Sequence, residues 1–150
     1  MINYRIGNLL TTTDPYIMHG VNCQGVMGSG VALAIKNKWP EVYNQYKNFY
    51  LDLLDANLLG MVQPVHLPSL IVFNAFTQRN YGKDNRRYVS YDAIDTCFNT
   101  VFKMIDDRDA PKNLSIPKIG AGLGGGKWEV IESIIVANKP STINVTVWEL

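Results

Sequence analysis

The sequence predicts a layered α/β domain with helices on both faces of one sheet. Three observations carry this expectation. The hydrophobic period switches repeatedly between two and about 3.6 along the chain. Strand-like and helix-like runs interleave, in the rough order β-β-α-α-β-β-α-β-α-β, which is the pattern of layered α/β proteins. Nine of the twelve glycines fall in two windows, Gly20 to Gly30 and Gly120 to Gly126, each between a strand-like and a helix-like run.

Residues 2–6 (INYRI) alternate and predict a strand, and 16–22 (YIMHGVN) a second, buried one. Residues 30–38 (GVALAIKNK) suit a helix, and Pro40 opens another over 41–50, since proline fits a first-turn position. Strands follow at 61–66 and 70–76, and Pro64 assigns the first of them to a sheet edge, where a missing N–H is tolerated. Ser90 is an N-cap candidate for a helix over 91–106, whose stripe of Ile94, Cys97, Phe98, Val101, Phe102 and Ile105 faces a core. Residues 113–119 predict a strand running into the second glycine window. A helix over 127–138, with Trp128, Ile131, Ile134 and Ile135 inward, and a strand over 143–148 close the chain.

The 150 residues are read as one domain, 1–150, able to bury roughly two-thirds of the unfolded surface. Apolar residues make up 47% and charged residues 18%, which excludes disorder. A net charge of +1 gives no whole-chain field toward nucleic acid or anionic membrane. No apolar run reaches membrane-spanning length, so no membrane partner is expected. The N-terminus lacks the basic-then-apolar pattern of a signal peptide, which implies a cytoplasmic chain with Cys23 and Cys97 reduced. Two histidines and two separated cysteines do not make a structural zinc site, and no metal or cofactor is called for.

Both glycine windows occupy strand-to-helix junctions: strand–NCQGVMGSG–helix and strand–GAGLGGG–helix. Ligands of open α/β sheets bind outside the carboxyl ends of the strands. A loop there that ends in a helix N-terminus presents unpaired N–H groups and the positive end of the helix dipole. Two such loops grip a diphosphate from both sides, although glycines also simply make tight turns. The P-loop pattern fails, because Gly126-Lys127 is followed by Trp128 rather than a hydroxyl residue. Gly120 to Gly125 fits G-x-G-x-x-G, but only one strand remains after its helix, too little for a dinucleotide crevice.

Asn22-Cys23-Gln24-Gly25-Val26-Met27-Gly28-Ser29-Gly30-Val31-Ala32 resembles the first ligand loop of macro domains, and Ile116-Pro117-Lys118-Ile119-Gly120-Ala121-Gly122-Leu123-Gly124-Gly125 resembles their second. Gly7-Asn8-Leu9 is similar to the family's adenine-contacting turn, with Asn8 where Asp is usual; Leu58-Leu59-Gly60 and Phe76-Thr77-Gln78 also have counterparts. The likeness runs through nearly the whole chain and is nearest the compact branch of ADP-ribose-1″-phosphate phosphatases. It implies a three-layer α/β/α domain with a mixed central sheet that binds ADP-ribose or its 1″-phosphate. Asn8 and Leu9 would contact adenine. Asn22, Gly25, Met27, Gly28, Ser29, Gly30 and Val31 would wrap the distal ribose. Gly120, Ala121, Gly122, Leu123 and Gly124 would cradle the diphosphate, with Gln78 and Tyr81 nearby. ADP-ribosylated protein or nucleic acid are further partners the resemblance implies.

The family's hydrolases that free ADP-ribose from acidic side chains or DNA resemble this chain less at two points. Gln78 stands where they carry lysine, and Gly124 where the glutamate hydrolases carry Asp. Glutamine forms no Schiff base and glycine is no base; Lys83 and Lys127 are the nearby alternatives. The phosphatase branch has a histidine three residues before the loop Asn, and His19 with Asn22 reproduces H-x-x-N. A histidine activates water or protonates a leaving group, while Asn22 orients ribose hydroxyls. His19 also fits as a satisfied core residue, and Asn22 as a turn former. A nucleophilic Cys23 would need His19, four residues back, as its base. Residues 79–88 (RNYGKDNRRY) read either as a solvated loop or as a flap in which Arg86 and Arg87 contact phosphate. Three functions follow: a phosphatase without a metal, resting on His19 and Asn22; a module that only binds ADP-ribose; and a hydrolase acting on ADP-ribosylated protein or DNA.

Overall fold

Short runs of aliphatic and aromatic residues build the sheet, the longest of them buried almost throughout. In a computed structural model, which describes residues 2–150, six strands pair: β1 (Ile2–Ile6), β2 (Tyr16–Asn22), β3 (Val62–Leu67), β4 (Leu70–Gln78), β5 (Asn113–Pro117) and β6 (Asn144–Glu149). Their order is β1-β6-β5-β2-β4-β3. All pairings are parallel except β3 with β4. The mixed sheet arises because β3 returns beside β4 through a short turn, and Pro64 does lie in the edge strand.

Four helices cover it: α1 (Gly30–Lys38), α2 (Pro40–Asp52), α3 (Tyr91–Asp106) and α4 (Trp128–Asn138). Pro40 occupies the first turn of α2, and Ser90 Oγ accepts from Ala93 N to cap α3. The α3 stripe is buried with Ile131 and Ile135 of α4 against one face of the sheet. Ile35, Val42 and Tyr46 of α1 and α2 are buried on the other, with Ile17, Val21, Val72 and Phe76. The chain is therefore a three-layer α/β/α structure. Among the described residues, no helix is long and apolar enough to cross a membrane.

Local features differ from the sequence expectation; β4 runs on to Gln78 and α2 to Asp52, each two residues past the expected end. A 3-10 turn at Leu9–Thr11 follows β1 and is capped by Asn8, whose Oδ1 accepts from Leu10 N at 3.0 Å. One turn is too short for any hydrophobic period to mark it. The strand expected over 113–119 ends at Pro117, and Ile119 already closes a turn onto the Pro117 carbonyl.

Candidate functional site

The five parallel strands end on the same side of the sheet, and both glycine loops arch over that side. Between the loops lies a cleft of two joined cavities, of about 340 and 590 Å³. Gly30, Val31, Pro117, Lys118 and Gly122 line both. The smaller one reaches down to His19 and Asn22 and is flanked by Gln78, Tyr81 and Lys83; the larger one ends at Asn8, Leu9 and Trp148.

The first loop leaves β2 through a bulge. The register of β2 on β4 shifts between Val21 and Asn22. Residues three apart in a regular strand face opposite sides. The bulge instead returns Asn22 to the α1/α2 side that His19 occupies, where Tyr46 of α2 donates to its Oδ1 at 2.9 Å. Asn22 Oδ1 also accepts from Gln24 N, and its Nδ2 donates to Val26 O at 2.8 Å. Asn22 thus holds the loop together while lining the cleft. Gly25 takes φ +75° against the Tyr50 ring, and Met27 is buried in the α1/α2 core. Neither lines the cleft, because the loop turns its middle inward to seat itself. Gly28, Ser29, Gly30 and Val31 do line it. They lead into α1 with no side-chain cap from Ser29, so the first N–H groups of the helix are available to an anion.

In the second loop, Gly120, Gly122, Leu123 and Gly124 line the smaller cavity, and Ala121 the larger. The loop closes on itself, with Gly126 N donating to Gly120 O at 2.8 Å and Gly125 N to Gly122 O at 3.0 Å. These bonds leave the peptide N–H groups of Gly122, Leu123 and Gly124 outside the loop's own ladder. Gly125 takes φ +73°, and an added Cβ would lie 2.6 Å from Arg86 O. A Gly125→Ala variant is expected to lose about 1–3 kcal/mol of stability in urea unfolding. A loss under about 0.5 kcal/mol would mean the loop relaxes without strain.

Residues 79–88 are tied to this loop. Tyr88 N and Val89 N both donate to Gly124 O, and Gln78 bridges to Val89. Gln78 Nε2 donates to Asn80 O at 2.8 Å, which fixes the turn that sets Tyr81 beside the cleft. Arg86 and Arg87 do not reach the cleft as the flap reading expected. Their guanidinium groups lie over the Tyr88 and Tyr91 rings, at 5.8 and 4.5 Å, because cation–π stacking holds them on the outer surface.

His19 is buried, and its Nε2 lies 2.6 Å from Asn74 Oδ1 of β4. Burial is the larger influence on the ring and drives its pKa down to about 4 against the opposing Asn74 bond. The imidazole is therefore neutral near pH 7, and its buried Nδ1 has no hydrogen-bond partner among the described residues. Burial pushes the Cys23 thiol up against the opposing charge of Arg79, which disfavours its thiolate. The sequence motifs contain Val26 and Thr77 without giving either a contact, and no motif marks Trp148; Val26 and Thr77 line the smaller cavity, and Trp148 with Glu149 lines the larger. Residues 148–149 end the last strand, and strand carboxyl ends are where a ligand sits in this architecture. That rule was the available signal.

Comparison with known proteins agrees with this fold. The chain is 28% identical over 150 residues to a Mycobacterium tuberculosis protein named DNA ADP-ribosyl glycohydrolase, covering 91% of this chain but only 38% of that one. It is 27% identical to the ADP-ribose 1″-phosphate phosphatase of Candida albicans, covering 90% of this chain and 92% of that one. The macrodomain of Thermus aquaticus DarG has the same fold, with a TM-score of 0.84 at 23% identity over all of this chain and 99% of that one. Residues 18–135 match the family described as Macro domain, and with the two glycine loops framing one cleft, this chain belongs to the macro domain family.

Proposed function

We propose that this chain binds ADP-ribose along the cleft and hydrolyses ADP-ribose-1″-phosphate to ADP-ribose and phosphate. The observation that carries the reading is a buried, neutral histidine in the wall of a cleft whose two glycine loops offer free peptide N–H groups. The name of the Candida relative, which matches this chain at nearly full length, supports the same reaction. A cytoplasmic setting, with Cys23 and Cys97 as thiols, goes with this reading.

The chemistry needs one proton transfer and charge stabilisation. Water attacks phosphorus, a new P–O bond forms, and the bond from phosphorus to the 1″ oxygen breaks. His19 takes the proton of the water and returns it to the leaving oxygen. A ring with pKa about 4 is a weak base in the free protein. Bound phosphate strengthens it, because a nearby negative charge favours the protonated ring. Peptide N–H groups of α1 and of the second loop take the charge on the phosphoryl oxygens. Asn22 keeps the first loop in place and faces the ribose.

The test is phosphate release from ADP-ribose-1″-phosphate, run beside ADP-ribosylated protein, ADP-ribosylated DNA and calorimetry with ADP-ribose. Micromolar binding without turnover of any substrate would leave a binding module and sink the phosphatase. A second reading rests on Lys83, which lines the smaller cavity, and on the mycobacterial relative's name. It is a hydrolase that frees ADP-ribose from DNA, and it requires release from ADP-ribosylated DNA that is lost in Lys83→Ala.

Gly122 supplies an independent test of the binding mode. A Cβ added there meets nothing within 4 Å, and its φ is not left-handed. Gly122→Val is expected to keep stability within about 0.5 kcal/mol. Its side chain fills the wall shared by both cavities, so ADP-ribose affinity should fall about tenfold or more. Unchanged affinity in calorimetry would place the ligand elsewhere.

A further inference from the structure

A row of buried amides crosses the sheet beneath the cleft. Asn74 of β4 is registered between His19 of β2 and Gln63 of β3. All three residues are buried. Gln63 Nε2 donates to the backbone carbonyl of Gln45 in α2 at 2.9 Å, and Asn74 Nδ2 donates to Gln63 Oε1 at 3.1 Å. His19 Nε2 completes the row at 2.6 Å from Asn74 Oδ1.

Oxygen and nitrogen of a side-chain amide have nearly the same shape, so packing alone does not decide which way such a row runs. One member has a fixed role. The Gln45 carbonyl can only accept, and it therefore turns the Gln63 nitrogen toward α2. The Gln63 oxygen then faces Asn74 and claims its nitrogen, which leaves the Asn74 oxygen facing His19. Reversing any one amide would set two donors or two acceptors against each other in a buried site, at about 1–3 kcal/mol for each unsatisfied group. A ring nitrogen 2.6 Å from an acceptor must carry the proton. In a neutral imidazole the other nitrogen then holds the lone pair.

We infer that Gln63 and Asn74 are positioning residues that lock His19 as the Nε2–H tautomer, with Nδ1 as its proton-accepting atom. The helix carbonyl thus sets, through two amides, which atom of a residue in the cleft wall can act as a base. The tautomer stands independently of the reaction; only the use of Nδ1 in hydrolysis rests on the function proposed above. No charged side chain shifts the ring. Burial also favours the neutral forms of Tyr46 and Cys23, on the same face of the sheet.

The imidazole nitrogen shifts of His19 in the ¹⁵N-labelled wild-type protein test this directly. Nε2 should resonate as a protonated nitrogen and Nδ1 as an unprotonated one. The opposite pattern, or averaging of the two, overturns the inference without any variant having to fold. Gln63→Leu does not touch His19 but frees the Asn74 amide to turn over, so the single Nε2–H signature should be lost. Adding Asn74→Asp supplies an acceptor in either orientation and should restore the proton on Nε2, while its charge also favours one on Nδ1. A signature unchanged in Gln63→Leu would overturn the relay. Where phosphate release is measurable, kcat should fall with the Nε2–H fraction from wild type to Gln63→Leu while KM stays unchanged. A locked Nε2–H tautomer in a protein that releases no phosphate would support the relay and remove the phosphatase.

Discussion

His19→Gln is expected to lower kcat for phosphate release from ADP-ribose-1″-phosphate by about a hundredfold or more, the usual contribution of a positioned general base. ADP-ribose affinity should stay within about threefold, a change of under 1 kcal/mol. Glutamine can still donate to Asn74 Oδ1 from much the same place, so the wall of the cleft persists while the base is removed. His19→Ala should lose as much activity and also some stability, because it leaves the Asn74 oxygen buried and unpaired. The pH profile supports the same assignment. The free enzyme's pKa governs kcat/KM, so that profile should be level near neutrality and fall only as pH approaches about 4. The limb of kcat should lie higher, since bound phosphate raises the pKa of the ring. A profile breaking near 6.5, or a variant as fast as wild type, would remove His19 from the reaction.

The second large effect is on stability. His19 titrates at about 4 when folded, below its ordinary value of 6.5. Between those values the unfolded chain binds a proton that the folded one refuses. Stability therefore rises with pH through this window, and it is lost as pH falls from 6.5 to about 4. At roughly 1.4 kcal/mol per pH unit the gap is worth about 3 kcal/mol, a large share of a domain's total. Asp84 and Asp106 are both held below their ordinary value by hydrogen bonds, and they lose stability at still lower pH. The difference between wild type and His19→Gln cancels those terms. Urea unfolding at steps from pH 7 to 4 should show the two proteins diverging, with wild type losing more. Parallel curves would mean that the ring is solvated and its pKa ordinary.

Much of the fold was legible because its signals are local and repeated. The α3 stripe spans about three turns, Ser90 caps it with a side chain three residues away, and Pro64 marks an edge by its missing donor. Each depends on spacing along the chain. The two loops were legible for a related reason. Gly25, Gly30, Gly120 and Gly125 all take left-handed φ, which other residues rarely adopt, so the turns leave a compositional trace.

Other features depend on partners distant in sequence, which spacing cannot encode. The bulge after Val21 brings His19 and Asn22 to one side, against the alternation that H-x-x-N implies. Met27 lies in the core rather than in the cleft, and Arg86 and Arg87 stack on tyrosines outside it. The protonation of His19 is the furthest from the sequence. Burial comes from a sheet and two helices closing over it, and the direction of the amide row comes from a carbonyl 26 positions away. The sequence by itself determined the class of fold, the order of elements and the two loops that frame the cleft. Only the tertiary structure decided which loop residues reach the cleft and which atom of His19 is free, because both are set by contacts between segments that become neighbours only once the sheet is assembled.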